Sequence, residues 1–234
     1  MINLASRSYC KELLDNDAIP FADIRQNMKE LNRINTYLGG HKITIEGVKK
    51  ILGNFQPDGP VTICEIGCGG GDNLKAIENW CHKHAVKSDF IGIDLKAECI
   101  EFAKQQYPNL DARWIVSDYK DVRFDNNKPT IIFSSLFCHH FMNDGIAHIL
   151  QWMKVNSSRG FFINDLHRHY LAFYSIKIIT AIFSRSYLVR NDAPLSVARG
   201  FRTKEWQKMM THAGITDYNI QWRWAFRHLI TCFN

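Results

Sequence analysis

Two features of this sequence have residue types and spacings suited to chemistry on a small molecule: glycines bracketed by carboxylates, and a pair of adjacent histidines. The first is Val61–Leu74, VTICEIGCGGGDNL, with glycines at 67, 69 and 71, Glu65 before them and Asp72 and Asn73 after. A strand that ends in glycines and opens a helix turns backbone N–H groups toward a ligand, and glycine leaves room for it. Glu65 and Asp72 would repel a pyrophosphate and suit a cation. Asp72 also occupies the place of the third glycine in the dinucleotide pattern Gly-x-Gly-x-x-Gly. A tight strand–helix turn without a ligand is the alternative.

The histidines, His139 and His140, stand in SSLFCHHF after the apolar run 130–135. An imidazole with pKa ~6.5 can take a proton from a phenol, orient a hydroxyl or carbonyl, or make a structural hydrogen bond. Neighbouring side chains point apart, so one role does not use both, and which of the two acts is left open. No carboxylate joins the pair locally, so no metal is expected there. Upstream, Asp94 stands at the carboxyl end of the run DFIGIDL (89–95), where a carboxylate can accept from both hydroxyls of a ribose. Each such charge-assisted bond is worth about 1.5–3 kcal/mol. Capping the following helix is its other reading.

Strands and helices must hold these groups. Short apolar runs at Val61–Cys64, Asp89–Leu95, Ala112–Val116, Thr130–Ser135 and Gly160–Asn164 read as buried strands. Helical spacing begins at Leu74 and recurs in Ala97–Gln106, Gly145–Val155, Tyr170–Phe183 and Thr203–Ala213. Ahead of them, Phe21, Ile24, Met28, Leu31, Ile34 and Leu38 mark an amphipathic helix stopped by Gly39-Gly40. A second helix opens at His41 or Thr44 and ends near Gly53. Pro57, Gly59 and Pro60 turn the chain into the first strand. The C-terminal stretches Ile215–Trp224 and Ala225–Phe233 alternate as an antiparallel pair.

The glycine stretch resembles the first motif of class I S-adenosylmethionine-dependent methyltransferases, acidic-x-Gly-x-Gly-x-Gly, and SSLFCHHF is similar to the post-strand loop of quinone- and polyketide-type members. The resemblance runs from Gly59 to the C-terminus. It implies an α/β fold, a Rossmann-like seven-stranded sheet with N-terminal helices (1–56), a cofactor-binding domain (57–234) and a helical lid insertion (165–201). It implies S-adenosylmethionine as cofactor and S-adenosylhomocysteine as product. The implied cofactor residues are Glu65, Gly67, Gly69, Gly71, Asn73, Asp94, Leu95, Asp118, Tyr119 and Ser134. Asp118 would accept from the adenine amino group or cap its own turn, and Tyr119 would rest against the base. His139 and His140 are the catalytic candidates. Tyr170, Phe173, Tyr174 and His167 are the acceptor candidates, with Ile178 beside them in the lid. His167, Arg168, His169, Arg190 and Arg199 either meet an acidic or carrier-linked acceptor or are solvated and paired. The N-terminal helices either cover the acceptor or only pack the sheet edge.

The implied activity is O- or C-methylation of a small aromatic, quinone-like or polyketide-like acceptor in secondary metabolism. The alternatives are a nicotinamide oxidoreductase, which Glu65, Asp72 and Asp118 disfavour, and a non-catalytic methyltransferase-like binding module. At 234 residues, with 46% hydrophobic and 22% charged side chains, the chain suits one soluble α/β domain. The net charge of +6 is scattered, without the stripe of a nucleic-acid binder, so no nucleic-acid partner is expected. The seven cysteines lack paired metal spacing, and several sit inside apolar runs where they read as buried free thiols, which suits a reducing cytoplasm. No signal peptide or membrane span is expected. Oligomeric state is left open.

Overall fold

The computed structural model describes residues 3–16, 18–54, 59–125 and 127–234. Seven strands, β1 (Val61–Ile66), β2 (Ser88–Asp94), β3 (Ala112–Val116), β4 (Ile131–Ser135), β5 (Gly160–Leu166), β6 (Tyr218–Arg223) and β7 (Arg227–Phe233), form one sheet in the order β3-β2-β1-β4-β5-β7-β6. The first five strands are parallel, and β7 is inserted antiparallel between β5 and β6. This is the implied seven-stranded α/β sheet. Its strand order reverses at β1 and β4, and ligands of open parallel sheets sit at the carboxyl ends beside such a reversal.

The described residues also form eight α-helices, α1 (Phe21–Tyr37), α2 (Gly40–Leu52), α3 (Asp72–Lys83), α4 (Ala97–Gln106), α5 (Asn143–Asn156), α6 (Tyr170–Phe183), α7 (Tyr187–Arg199) and α8 (Thr203–His212), and three single 3-10 turns at Leu13–Asp15, Tyr119–Asp121 and Cys138–His140. Alternation along the strands sends side chains to both faces of the sheet. Val61, Ile63, Phe133 and Phe162 pack with Val48, Ile51, Leu74 and Ile77 of α2 and α3. Cys64, Ile66, Ile132 and Ile163 pack with Ile149, Leu150, Trp206 and Met210 of α5 and α8. Helices α1, α6 and α7 lie over the carboxyl ends of the strands, joined through small apolar clusters such as Leu4, Ala172, Phe173, Ile176 and Val197.

Most sequence-derived elements lie within a few residues of the observed ones, and three differences have physical causes. Strand β1 continues through Glu65 and Ile66, which still pair with Gly92 and Ile93. Helix α2 begins at Gly40, directly after Gly39 takes the left-handed conformation (φ 77°) that ends α1. Helix α7 has no counterpart in the sequence pattern, because Pro194 lies inside it and its apolar residues follow no single stripe. Tertiary burial of Leu188, Val189, Pro194, Val197 and Ala198 stabilises it instead, and the Ser186 hydroxyl caps its start by accepting from the Val189 N–H. Pro57, expected in the turn before β1, lies outside the described residues, as does the expected boundary at 56/57.

Candidate active site

The carboxyl ends of β1, β2, β4 and β5, roofed by α1, α6 and α7, enclose a cavity of about 930 Å³. On its floor, Gly67 and Gly69 have φ values of +65° and +50°. A Cβ on Gly67 would stand 2.1 Å from the Phe137 ring, so only glycine admits the loop after β4 this close. Asp94 braces the turn: one carboxylate oxygen accepts from Gly69 N–H at 2.8 Å, the other from Lys96 N–H at 2.9 Å. Asn73 Nδ2 donates to Glu65 Oε1 at 2.8 Å. Leu95, Asp118 and Tyr119 complete this wall. The Asp118 carboxylate accepts from Lys120 N–H and so also caps its own turn. The Tyr119 ring packs edge-on against Phe137, Phe141 and Trp152.

The electrostatics of this crevice call for a cation. Burial holds the carboxyls of Glu65 and Asp94 above the usual carboxylate range, and the proximity of Asp72 and Asp94 raises Glu65 further. Burial also raises Asp72, against the pull of His41, whose Nε2 lies 3.4 Å away. Glu65 is 1% exposed, and its Oε2 has no hydrogen-bond partner. A buried carboxylate oxygen without a partner is costly, and a cationic ligand in the adjoining cavity would relieve it.

The opposite wall carries the histidines. His139 is buried, with Nδ1 2.8 Å from Asp165 Oδ1 at the end of β5. His140 is partly exposed, with Nδ1 3.0 Å from Asp15 Oδ1. The Nε2 atoms of both rings approach the buried carboxylate of Glu12, at 3.6 and 3.8 Å. No carboxylate stands beside the pair in the local sequence, but the fold brings three to it, from Glu12, Asp15 and Asp165, and the ligand atoms of Glu12, His139 and His140 lie within 4.8 Å of one another. Burial raises the Glu12 carboxyl, while His140, the Ser196 hydroxyl and Arg199 act to lower it. Burial works against the ionised form of Asp165 too, but the contact with His139 outweighs it and holds that carboxyl below its ordinary range.

A family model described as a methyltransferase domain matches residues 63–156, the segment from β1 through α5. This segment is similar to a methyltransferase domain. The "Putative methyltransferase 235L" of Invertebrate iridescent virus 6 is 30% identical over 112 residues, 47% of this chain and 39% of the viral protein. Among solved structures, the plantazolicin methyltransferase BpumL in complex with S-adenosylhomocysteine superposes with a TM-score of 0.68 at 16% identity, covering 92% of this chain and 95% of that one. Human N-acetylserotonin methyltransferase with S-adenosylmethionine gives 0.66 at 10% identity, over 92% of this chain and 56% of that one. Magnesium protoporphyrin IX methyltransferase from Synechocystis PCC 6803, with bound S-adenosylmethionine, gives 0.58 at 10% identity, over 94% and 99%. At these identities the likeness is one of fold. The cofactor such a domain implies, S-adenosylmethionine, carries a sulfonium and an ammonium group, and the acid-lined crevice fits both.

Other sequence-derived candidates lie elsewhere in the domain. Ser134 is fully buried beside Cys138, because alternation along β4 turns it to the side of Ile132 and leaves Ser135 at the cavity. Gly71 caps α3 and packs closely on Trp114 behind the turn. Tyr170 and Tyr174 are about half exposed on the outer face of α6, in line with Ile178 and Ile182. Phe173 is buried in the cluster between α6 and α7. The 3.6-residue period instead presents Ala172, Ser175, Ile176 and Ile179 to the cavity. His167 stacks on His228, away from the cavity. Arg168 and Arg199, expected at an acceptor or at the surface, are buried and bound to backbone carbonyls: Arg168 to those of Leu4 and Gly200, Arg199 to those of Cys10, His139 and His140. The sequence reading missed Glu12, Asp15, Asp165 and Arg227. Arg227 is 3% exposed and lines the cavity; Nη2 donates to Asn35, while Nε and Nη1 have no partner. No local motif marks these four. No described helix is long and apolar enough to cross a membrane.

Proposed function

We propose that this domain transfers a methyl group from S-adenosylmethionine to an oxygen or carbon of a small aromatic, quinone-like or polyketide-like acceptor, in secondary metabolism. The observation that carries this reading is one continuous cavity, acid-lined over the glycine turn and apolar beneath α1, α6 and α7, with His139 and His140 on its wall. When bound, S-adenosylmethionine supplies an electrophilic methyl group on sulfur and leaves as S-adenosylhomocysteine. Glu65 and Asn73 would hold its amino-acid end above Gly67 and Gly69, Asp94 its ribose, and Leu95, Asp118 and Tyr119 its adenine.

The chain's own work is positioning. Met28, Leu31, Ile34, Ile176 and Val197, which line the cavity, would exclude water from a bound acceptor, and near-attack alignment alone can supply about 7–11 kcal/mol. In this reading residues 1–56 act as a cap and 165–201 as a lid. The His139 and His140 cluster is where an acceptor hydroxyl would lose its proton. Arg227 sets a buried guanidinium beside the chamber, and its positive charge supports an acidic acceptor better than Arg168, Arg199 or His167 do.

Methyl-labelled S-adenosylmethionine, incubated with the protein and a panel of phenols, quinols and aromatic polyketide acids, should label at least one product. Binding of NADH without binding of S-adenosylhomocysteine would replace this reading with an oxidoreductase. Cofactor binding with no transfer to any cell-extract metabolite would leave a binding module.

A further inference from the structure

Each histidine of the cluster has its Nδ1 committed to its own carboxylate, His139 to Asp165 at 2.8 Å and His140 to Asp15 at 3.0 Å. In the neutral tautomer that donates Nδ1–H to these carboxylates, both Nε2 atoms present lone pairs. Both face one buried acid, Glu12, whose Oε1 lies 3.6 Å from His139 and Oε2 3.8 Å from His140. Imidazoles anchored on carboxylates through the remote nitrogen, with the near nitrogens converging, are the arrangement that fixes tautomer and orientation for a metal ion. We propose that Glu12, His139 and His140 hold one divalent transition-metal ion of the zinc type on the wall of the acceptor chamber.

Distances and charge support the site. The three ligand atoms lie within 4.8 Å of one another. Around a tetrahedral zinc with bonds of about 2.0–2.1 Å they would be roughly 3.4 Å apart, so closure needs side-chain shifts of about 1 Å. Two nitrogens and one carboxylate suit zinc and its neighbours rather than magnesium or calcium, and three protein ligands leave a coordination position open. All three side chains line the cavity, so that position faces the chamber. Glu12, Asp15, Asp165 and Asp192 supply four carboxylates here, against the guanidinium groups of Arg7 and Arg199. Arg7 and Arg199 are engaged by the carbonyls of Cys10, His139, His140, Phe141 and Arg199. The excess negative charge suits a divalent ion. The 3.9 Å contact of Arg199 with Glu12 remains beside it as a second, weaker counter-charge. What the ion would do, ligating an acceptor oxygen, rests on the methyltransferase reading; its binding does not.

The test uses the whole chain, stripped with a chelator and titrated with Zn²⁺ alone by calorimetry and with Co²⁺ by visible absorption. One ion per chain is expected, with cobalt d–d bands and no thiolate charge-transfer band, which separates the site from the cysteines. Glu12→Gln and His140→Gln should each weaken binding at least tenfold and retain S-adenosylhomocysteine binding, which reports that they fold. His212→Ala, at an exposed position on α8, should bind as the wild type does. If Glu12→Gln fails to fold, the partly exposed His140 decides. Absence of stoichiometric binding, or binding unchanged in both variants, overturns the site and leaves the methyltransferase reading standing. Zinc bound without any affinity for S-adenosylhomocysteine would sink that reading and keep the site.

Discussion

Asp165 grips His139 twice: Oδ1 lies 2.8 Å from the ring Nδ1, and Oδ2 accepts from the His139 backbone N–H at 3.3 Å. Both residues are buried, and they come from adjacent parallel strands, β5 and the turn after β4. The ring therefore has one orientation, with Nε2 toward the cavity. Asp165 is a positioning residue, acting through His139. Asp165→Asn should lower kcat for methyl transfer by about 100-fold and alter its pH profile, with S-adenosylhomocysteine affinity within twofold of wild type. An unchanged kcat and profile would show that the pair is structural only.

Asp94 both braces the glycine turn and faces the cofactor crevice. Asp94→Ala should weaken S-adenosylmethionine binding about tenfold or more, one decade corresponding to ~1.4 kcal/mol. Calorimetry that returns wild-type affinity would refute the ribose assignment.

Burial and neighbouring acids raise the Glu65 carboxyl in the unliganded fold. A cationic ligand favours the ionised form, so proton and cofactor compete. Affinity for S-adenosylmethionine should be lowest at acid pH and rise as pH passes through the raised value, with a proton released on binding. For the unliganded fold the sign is opposite: the protonated carboxyl favours folding, and that contribution is lost as pH rises through the folded-state value. Glu65→Gln should flatten the binding profile, measured by calorimetry in buffers of different ionisation enthalpy. A proton release that persists in Glu65→Gln would exclude this carboxyl as its source.

Two buried arginines should behave in opposite ways. Arg168 donates to the carbonyls of Leu4 and Gly200 and to both carboxylate oxygens of Glu205. Arg168→Met should cost about 2–4 kcal/mol in denaturant unfolding, because it strands those acceptors. Arg227 keeps two donors unpaired, and burial lowers its pKa to about 10. Arg227→Met should cost less than about 1 kcal/mol or stabilise the fold, while weakening acidic acceptors. Equal losses in the two variants would contradict the unpaired state of Arg227.

Local pattern alone determined the five parallel strands, the glycine turn, Asp94 at a strand end and the histidine pair beyond β4. Strand periodicity, glycine stereochemistry and the order of elements are written into short stretches of chain, so these parts of the cofactor crevice could be read directly. Tertiary structure decided the side of the cavity beneath α1, α6 and α7. Which face of α6 turns inward depends on helix phase against α1 and α7, and this placed Tyr170 and Tyr174 outside and Ile176 inside. Helix α7 exists through burial that overrides its proline. The carboxylates that serve His139 and His140 come from Glu12, Asp15 and Asp165. Long-range folding brings those groups together, and no spacing in the sequence encodes it.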